Sequence, residues 1–128
     1  MPGGDRWENV PVEPQLESAL KELDARGVPI AAFCGVTIAI SRVGLLRGRK
    51  HTSNGLNYLQ SHVPDYNEVD NYVAAPAVRD RGLITASGLA DIEFARALFE
   101  ELNVLSAGDR ELWARMFRTA QLPKEEGD

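Results

Sequence analysis

The 128-residue sequence predicts an α/β fold in which helices cover both faces of a parallel sheet. Three observations carry this. Leu16, Ala19, Leu20 and Leu23 recur at helical spacing between Pro14 and Gly27. The run from Val28 to Phe33 is apolar without alternation, as in a strand buried on both faces. The run from Val36 to Leu46 is apolar nearly all round, as in a deeply packed helix.

Taken in order, Pro14 suits the first turn of the first helix and Gly27 its C-terminal stop, with Glu17 and Lys21 paired four residues apart. Val28–Phe33 is then a central strand, Val36–Leu46 a helix ended by Gly48, and Lys50–Ser53 a short second strand. Helix–strand–helix–strand order implies right-handed crossovers and parallel pairing. Asn54–Val63 reads as a short helix stopped by Pro64. Asn71–Val78 and Leu83–Ala86 flank a turn at Arg79–Gly82, giving a hairpin or a return to the sheet. Two amphipathic helices follow, one with Ile92, Ala95, Phe99 and Leu102 inward, the other with Leu112, Met116, Phe117 and Ala120, and Asp109 as its N-cap. Only the acidic end, KEEGD, reads as frayed.

Composition narrows the function. Hydrophobic residues make up 44% and charged residues 26%, as in one globular domain. The net charge of −5 disfavours nucleic acid, no stretch is apolar enough for a membrane helix, and the start MPGGDRWENV lacks a secretion signal, which places the chain in the cytoplasm. The basic run SRVGLLRGRK reads as a helix C-terminus followed by a solvated turn. No metal-ligand cluster and no nucleotide-binding glycine loop is visible, so neither a metal nor another cofactor is expected.

One cysteine forms no internal disulfide, so Cys34 is either a small buried hydrophobe or a chemically used thiol. Its place favours use. A strand ends at Cys34 and a helix leaves Gly35, which is the layout of a nucleophile elbow, and the helix N-terminus beside the sulfur favours the thiolate. Gly35 N–H is the natural first oxyanion donor, and the second must come from another loop. The turn Pro2-Gly3-Gly4-Asp5 suits that role, because two glycines free the backbone to aim N–H groups at a ligand.

PGGDRWE, then VPIAAFCGVTIAISRVGLLRGRKHTSN, then LITASG followed by IEFARALFEELNV, together resemble the DJ-one/PfpI family of class I glutamine amidotransferase-like proteins. The resemblance implies a flavodoxin-like fold, with residues 1–105 forming the C-terminal part of that domain and 106–128 a helix and acidic tail added to it. It makes Cys34 the elbow cysteine, with backbone N–H groups of Gly35 and of Gly3 or Gly4 near it. Two departures stand out: the chain begins at the glycine turn, without the acidic residue that family members place before it, and ITASGLADIEF lacks the histidine of glutaminase members.

His51 is the candidate base nearest in sequence, on the strand expected beside the cysteine strand, although a packed histidine is the plainer reading. Alternation turns His51 and Asn54 to opposite faces, so only one of them can look toward Cys34. Asp5, Trp7 and Asn54 are further pocket candidates, whereas His62 reads as structural or exposed. The expected function is a cysteine-dependent amidase, peptidase or glyoxalase-like hydrolase acting on a small molecule or peptide. The alternatives are a redox-responsive or binding protein and an inactive remnant. The unpaired edge of the Val28–Phe33 strand implies either a homo-oligomer that restores the sheet or a poorly soluble fragment.

Overall fold

The computed structural model describes residues 1–124, so Glu125, Glu126, Gly127 and Asp128 of the acidic end lie outside the described residues. The elements are α1 (Arg6–Asn9), α2 (Pro14–Ala25), β1 (Ile30–Phe33), α3 (Val36–Arg42), α4 (Leu56–His62), β2 (Ala77–Asp80), β3 (Leu83–Ala86), α5 (Asp91–Glu101) and α6 (Ala107–Thr119). The sheet has three strands in the order β1-β3-β2. β1 pairs with β3 in parallel from Ile30 opposite Leu83 to Phe33 opposite Ala86. β2 pairs with β3 antiparallel, so the two expected outcomes for Leu83–Ala86 coincide: it closes a hairpin and returns to the sheet.

Strand alternation divides the core. Ile30 and Ala32 join Leu20 of α2 and Val36, Ala39 and Ile40 of α3 in one buried cluster. Phe33 points the other way, its ring 5.2 Å from Phe94 of α5. All four residues of β3 are buried, as expected of a strand with a neighbour on each side and a layer on each face. α6 packs on α5 through Phe99 and Trp113, with ring centroids 5.0 Å apart, and through the Arg96–Glu111 ion pair at 3.0 Å.

Several boundaries differ from the sequence reading. α2 does end at Gly27: Gly27 N–H donates to Asp24 O at 3.0 Å and Val28 N–H to Leu23 O at 2.9 Å, with Gly27 at φ 76°. The same motif stops α3 four residues before the expected Leu46. Gly44, at φ 83°, donates to Ser41 O and Leu45 N–H to Ile40 O, after which Leu45 and Leu46 turn back into the core. The N-cap of α6 is Ser106 rather than Asp109, because Ser106 Oγ accepts the Asp109 N–H at 3.1 Å. β2 begins at Ala77 rather than Asn71, and Arg79 and Asp80 belong to the strand rather than the turn.

Lys50–Ser53 is not a strand of the sheet. It makes one parallel bridge, His51 to Tyr72, and is tied to β3 through Thr52 N–H donating to the Thr85 hydroxyl at 2.9 Å. β3, from much later in the chain, takes the place expected for it beside β1. The basic run is also more engaged than expected. Arg42 donates to Trp7 O, Val10 O, Glu8 O and His62 O at 2.8–3.2 Å, and Arg49 pairs with Asp24 at 2.7 Å.

Candidate functional site

Cys34 lies between β1 and α3 with φ 60°, a left-handed conformation that costs a residue bearing a Cβ about 1–2 kcal/mol. Its backbone is held on both sides of the bend. Cys34 N–H donates to Ala86 O at 3.0 Å, extending the β1–β3 ladder by one bond. Cys34 O accepts the Thr37 N–H at 3.1 Å and the Thr37 hydroxyl at 2.7 Å, which starts the helix. Since that hydroxyl donates to a carbonyl, it accepts from the Ser53 hydroxyl, also at 2.7 Å. Strand, helix and the 51–54 segment are thereby joined at one residue.

Glycines surround the bend because nothing larger fits. A methyl group at Gly3 would lie 2.7 Å from both Cys34 Cβ and Phe33 O, and one at Gly35 would lie 2.6 Å from Gly4 O. The Gly3-Gly4 turn is thus seated against Cys34 and Gly35. A methyl group at Gly88 would lie 2.7 Å from Cys34 Sγ. Gly88, in the loop after β3, escaped the sequence reading, although its place in TASGL just beyond a strand end was the available signal.

Cys34 is partly exposed, and its sulfur receives one side-chain hydrogen bond among the described residues, from Asn54 Nδ2 at 3.4 Å. Asn54 Oδ1 in turn accepts the Gly88 N–H at 2.8 Å. Of His51 and Asn54, Asn54 is the one that reaches Cys34.

His51 does not. It is fully buried, with Nδ1 2.7 Å from Arg49 O and Nε2 2.7 Å from the Tyr66 hydroxyl. A carbonyl only accepts, so Nδ1 carries the proton and Nε2 takes the one offered by Tyr66. Both ring nitrogens are committed, and the expectation of His51 as base is corrected to that of a packing and cross-linking residue. His62 has Nδ1 on Tyr58 O at 2.8 Å and Nε2 3.8 Å from Glu8, which agrees with a structural role.

Trp7 packs against the hydrophobic core and gives its carbonyl to Arg42. Asp5 is exposed at the start of α1, where its carbonyl accepts Glu8 N–H at 3.1 Å. Beside Asn54 a groove of about 360 Å³ runs past Tyr72, Ala75, Pro76 and Leu89, with no charged side chain on its walls. Leu89 is 97% exposed at its rim. Among the described residues no cluster of His, Cys, Asp and Glu could hold a metal ion, and no helix is long and apolar enough to cross a membrane.

Comparison with known proteins accords with this geometry. The model of the DJ-1/PfpI family matches residues 1–101. The chain is 38% identical over 122 residues to the uncharacterized protease YoaZ of Bacillus subtilis, covering 93% of this chain and 56% of that protein. It is 36% identical to the uncharacterized protease YdeA of the same organism, covering 80% of this chain and 51% of that one. The chain therefore spans about half the length of the curated relatives it matches. Among solved structures, the thiJ/pfpI family protein from Bacillus anthracis superposes with a TM-score of 0.88 at 33% identity, over 94% of this chain and 57% of that one. Toxoplasma gondii DJ-1 shares the fold with a TM-score of 0.65 at 23% identity, over 93% of this chain and 60% of its own.

Proposed function

The chain belongs to the DJ-1/PfpI family and carries its flavodoxin-like α/β architecture, and on that premise we propose that it is a cysteine-dependent hydrolase with Cys34 as nucleophile. The Cys34 thiolate attacks a carbonyl carbon, a C–S bond forms, and the π electron pair moves onto the carbonyl oxygen. Backbone N–H groups of Gly35 and of Gly3 or Gly4 receive that oxyanion. Collapse expels the leaving group, which takes a proton, and water then cleaves the thioester to release acid and thiol.

The observation that carries this reading is the left-handed, partly exposed Cys34 at the strand-to-helix bend, where glycines at 3, 35 and 88 admit close approach to its side chain. Strain of this kind persists only where the surrounding structure holds it, and it concentrates at working sites. The uncharged groove beside Asn54 favours small amides or peptides with apolar substituents. A glutaminase-type triad is not part of the proposal, because His51 and His62 are both engaged elsewhere. The cytoplasm is the proposed location, in keeping with one unpaired thiol.

The test is turnover of fluorogenic peptide amides and small amides by wild type, Cys34→Ser and Cys34→Ala. Both variants should lose it entirely. Activity that survives Cys34→Ala would end the proposal.

A further inference from the structure

An asparagine amide can turn either end to a neighbour, and only its N–H end stabilises a thiolate. At Asn54 the choice is fixed from outside. Gly88 N–H, which can only donate, lies 2.8 Å from one end of the amide, so that end is Oδ1. The other end, Nδ2–H, then meets Cys34 Sγ at 3.4 Å. The backbone that carries Asn54 is held as well. Thr52 N–H donates to the Thr85 hydroxyl of β3 at 2.9 Å, and the Ser53 hydroxyl donates to Thr37, whose own hydroxyl binds Cys34 O. Thr37 and Ser53 are both buried, so these ties are shielded from water. Residues 52–54 thus deliver one donor to the sulfur from three separate anchors, on β3, on α3 and in the loop after β3.

We propose that Asn54 is a catalytic residue of the Cys34 site, one that stabilises the thiolate by donating Nδ2–H to Sγ and does not take its proton. An amide has no basic nitrogen, so the thiol proton passes to water, and the sulfur anion left behind is the species the hydrogen bond favours. The proposal rests on Cys34 being the working group, but it concerns the state of the sulfur rather than turnover. The titratable groups on the elements packed against the bend are Tyr58 and His62 on α4, Glu8 on α1, Asp5 after the glycine turn and Asp91 at the start of α5. The first turn of α3 has no acidic residue, and His51 is turned away toward Tyr66. All of these stay constant when position 54 alone is changed.

Alkylation by iodoacetamide, a neutral reagent, followed by intact mass across a pH series, tests it on the purified chain with wild type, Asn54→Ala and Asn54→Asp. On the acidic limb, where the rate follows the thiolate fraction, Asn54→Ala should react about two- to fourfold more slowly. The lost hydrogen bond is there partly offset by the higher nucleophilicity of a more basic sulfur. Asn54→Asp keeps Oδ1 for Gly88 N–H but turns an anion to the sulfur, so it should be slower still, by about tenfold. On the alkaline plateau the three proteins should agree within about threefold. A structural role predicts otherwise: a displaced or covered sulfur reacts slowly on both limbs alike, and a residue that only ties the loop loses nothing in Asn54→Asp. Asn54 is exposed, so urea midpoints should stay near that of wild type. If Asn54→Ala does not fold, the isosteric Asn54→Asp carries the test. Either variant coinciding with wild type on the acidic limb, or slowed by the same factor on both limbs, would overturn the proposal. Loss of the hydrolase reading with this order of rates intact would leave it standing, and a wild-type sulfur that iodoacetamide reaches at no pH would overturn both.

Discussion

At Gly88 a single hydrogen separates the loop after β3 from the sulfur, since an added methyl group would lie 2.7 Å from Cys34 Sγ. The atom in the way is the end of a rotatable side chain, so Gly88→Ala should displace the sulfur rather than the fold. Alkylation of Cys34 should slow by about tenfold or more while the unfolding free energy changes by less than ~1 kcal/mol. Gly35→Ala makes the contrast, because the methyl group there meets the Gly4 carbonyl of the backbone at 2.6 Å. Equal unfolding midpoints for the two variants in urea would contradict this account.

Tyr66 carries a second residue-scale prediction. Burial first, then the charges of Glu68 and Tyr72, pushes its phenol up to about 12 from the ordinary 10.0. Between those values the folded chain keeps the proton that the unfolded chain has lost. Stability is therefore level below about pH 10 and falls as pH rises toward about 12. Tyr58 adds to the same decline. Tyr66→Phe should be less stable at neutral pH, having lost its bond to His51, yet should show a shallower alkaline fall. Urea midpoints across that range, parallel for the two proteins, would refute it.

Among the elements, α1 and α4 are short and neither would persist alone. Arg42, at the end of α3, holds both by donating to three carbonyls around α1 and one at the end of α4. Arg42→Ala should cost on the order of 3 kcal/mol, since it strands several partly buried carbonyls. Arg42→Lys should recover only a small part, because an ammonium cannot fork between two elements. Full recovery of the denaturation midpoint by lysine would rule out the clamp. The sequence reading took this arginine for the basic C-terminus of a helix, since a charge pattern does not reveal which backbone carbonyls lie within reach.

On the scale of the whole molecule, the sheet is asymmetric. β1 directs Ile30 N–H and Cys34 N–H toward β3, while the backbone hydrogen bonds on its other edge, among the described residues, go to Met1, through Met1 N–H to Ala31 O at 2.7 Å and Phe33 N–H to Met1 O at 3.4 Å. An apolar strand with an open edge recruits another strand. For a chain of these 128 residues the proposed outcome is a homo-oligomer that covers β1, and sedimentation equilibrium should return a mass above the 14.1 kDa of one chain. A monomer at every concentration would refute it. Leu102, Leu105 and Phe117, exposed near the C-terminal helices, add apolar surface at a separate place.

Local signals carried the strand into Cys34, the helix out of Gly35 and the amphipathic helices, because periodicity, glycine stops and apolar runs are properties of adjacent residues. The choice between His51 and Asn54, the neighbour of β1, the Gly88 contact and the Arg42 clamp were decided only in three dimensions. Each depends on which distant segments the packed core brings within a hydrogen bond of one another. Chain order predicted that Lys50–Ser53 would lie beside β1, and the tertiary structure gave that place to β3, whose residues are buried on both faces.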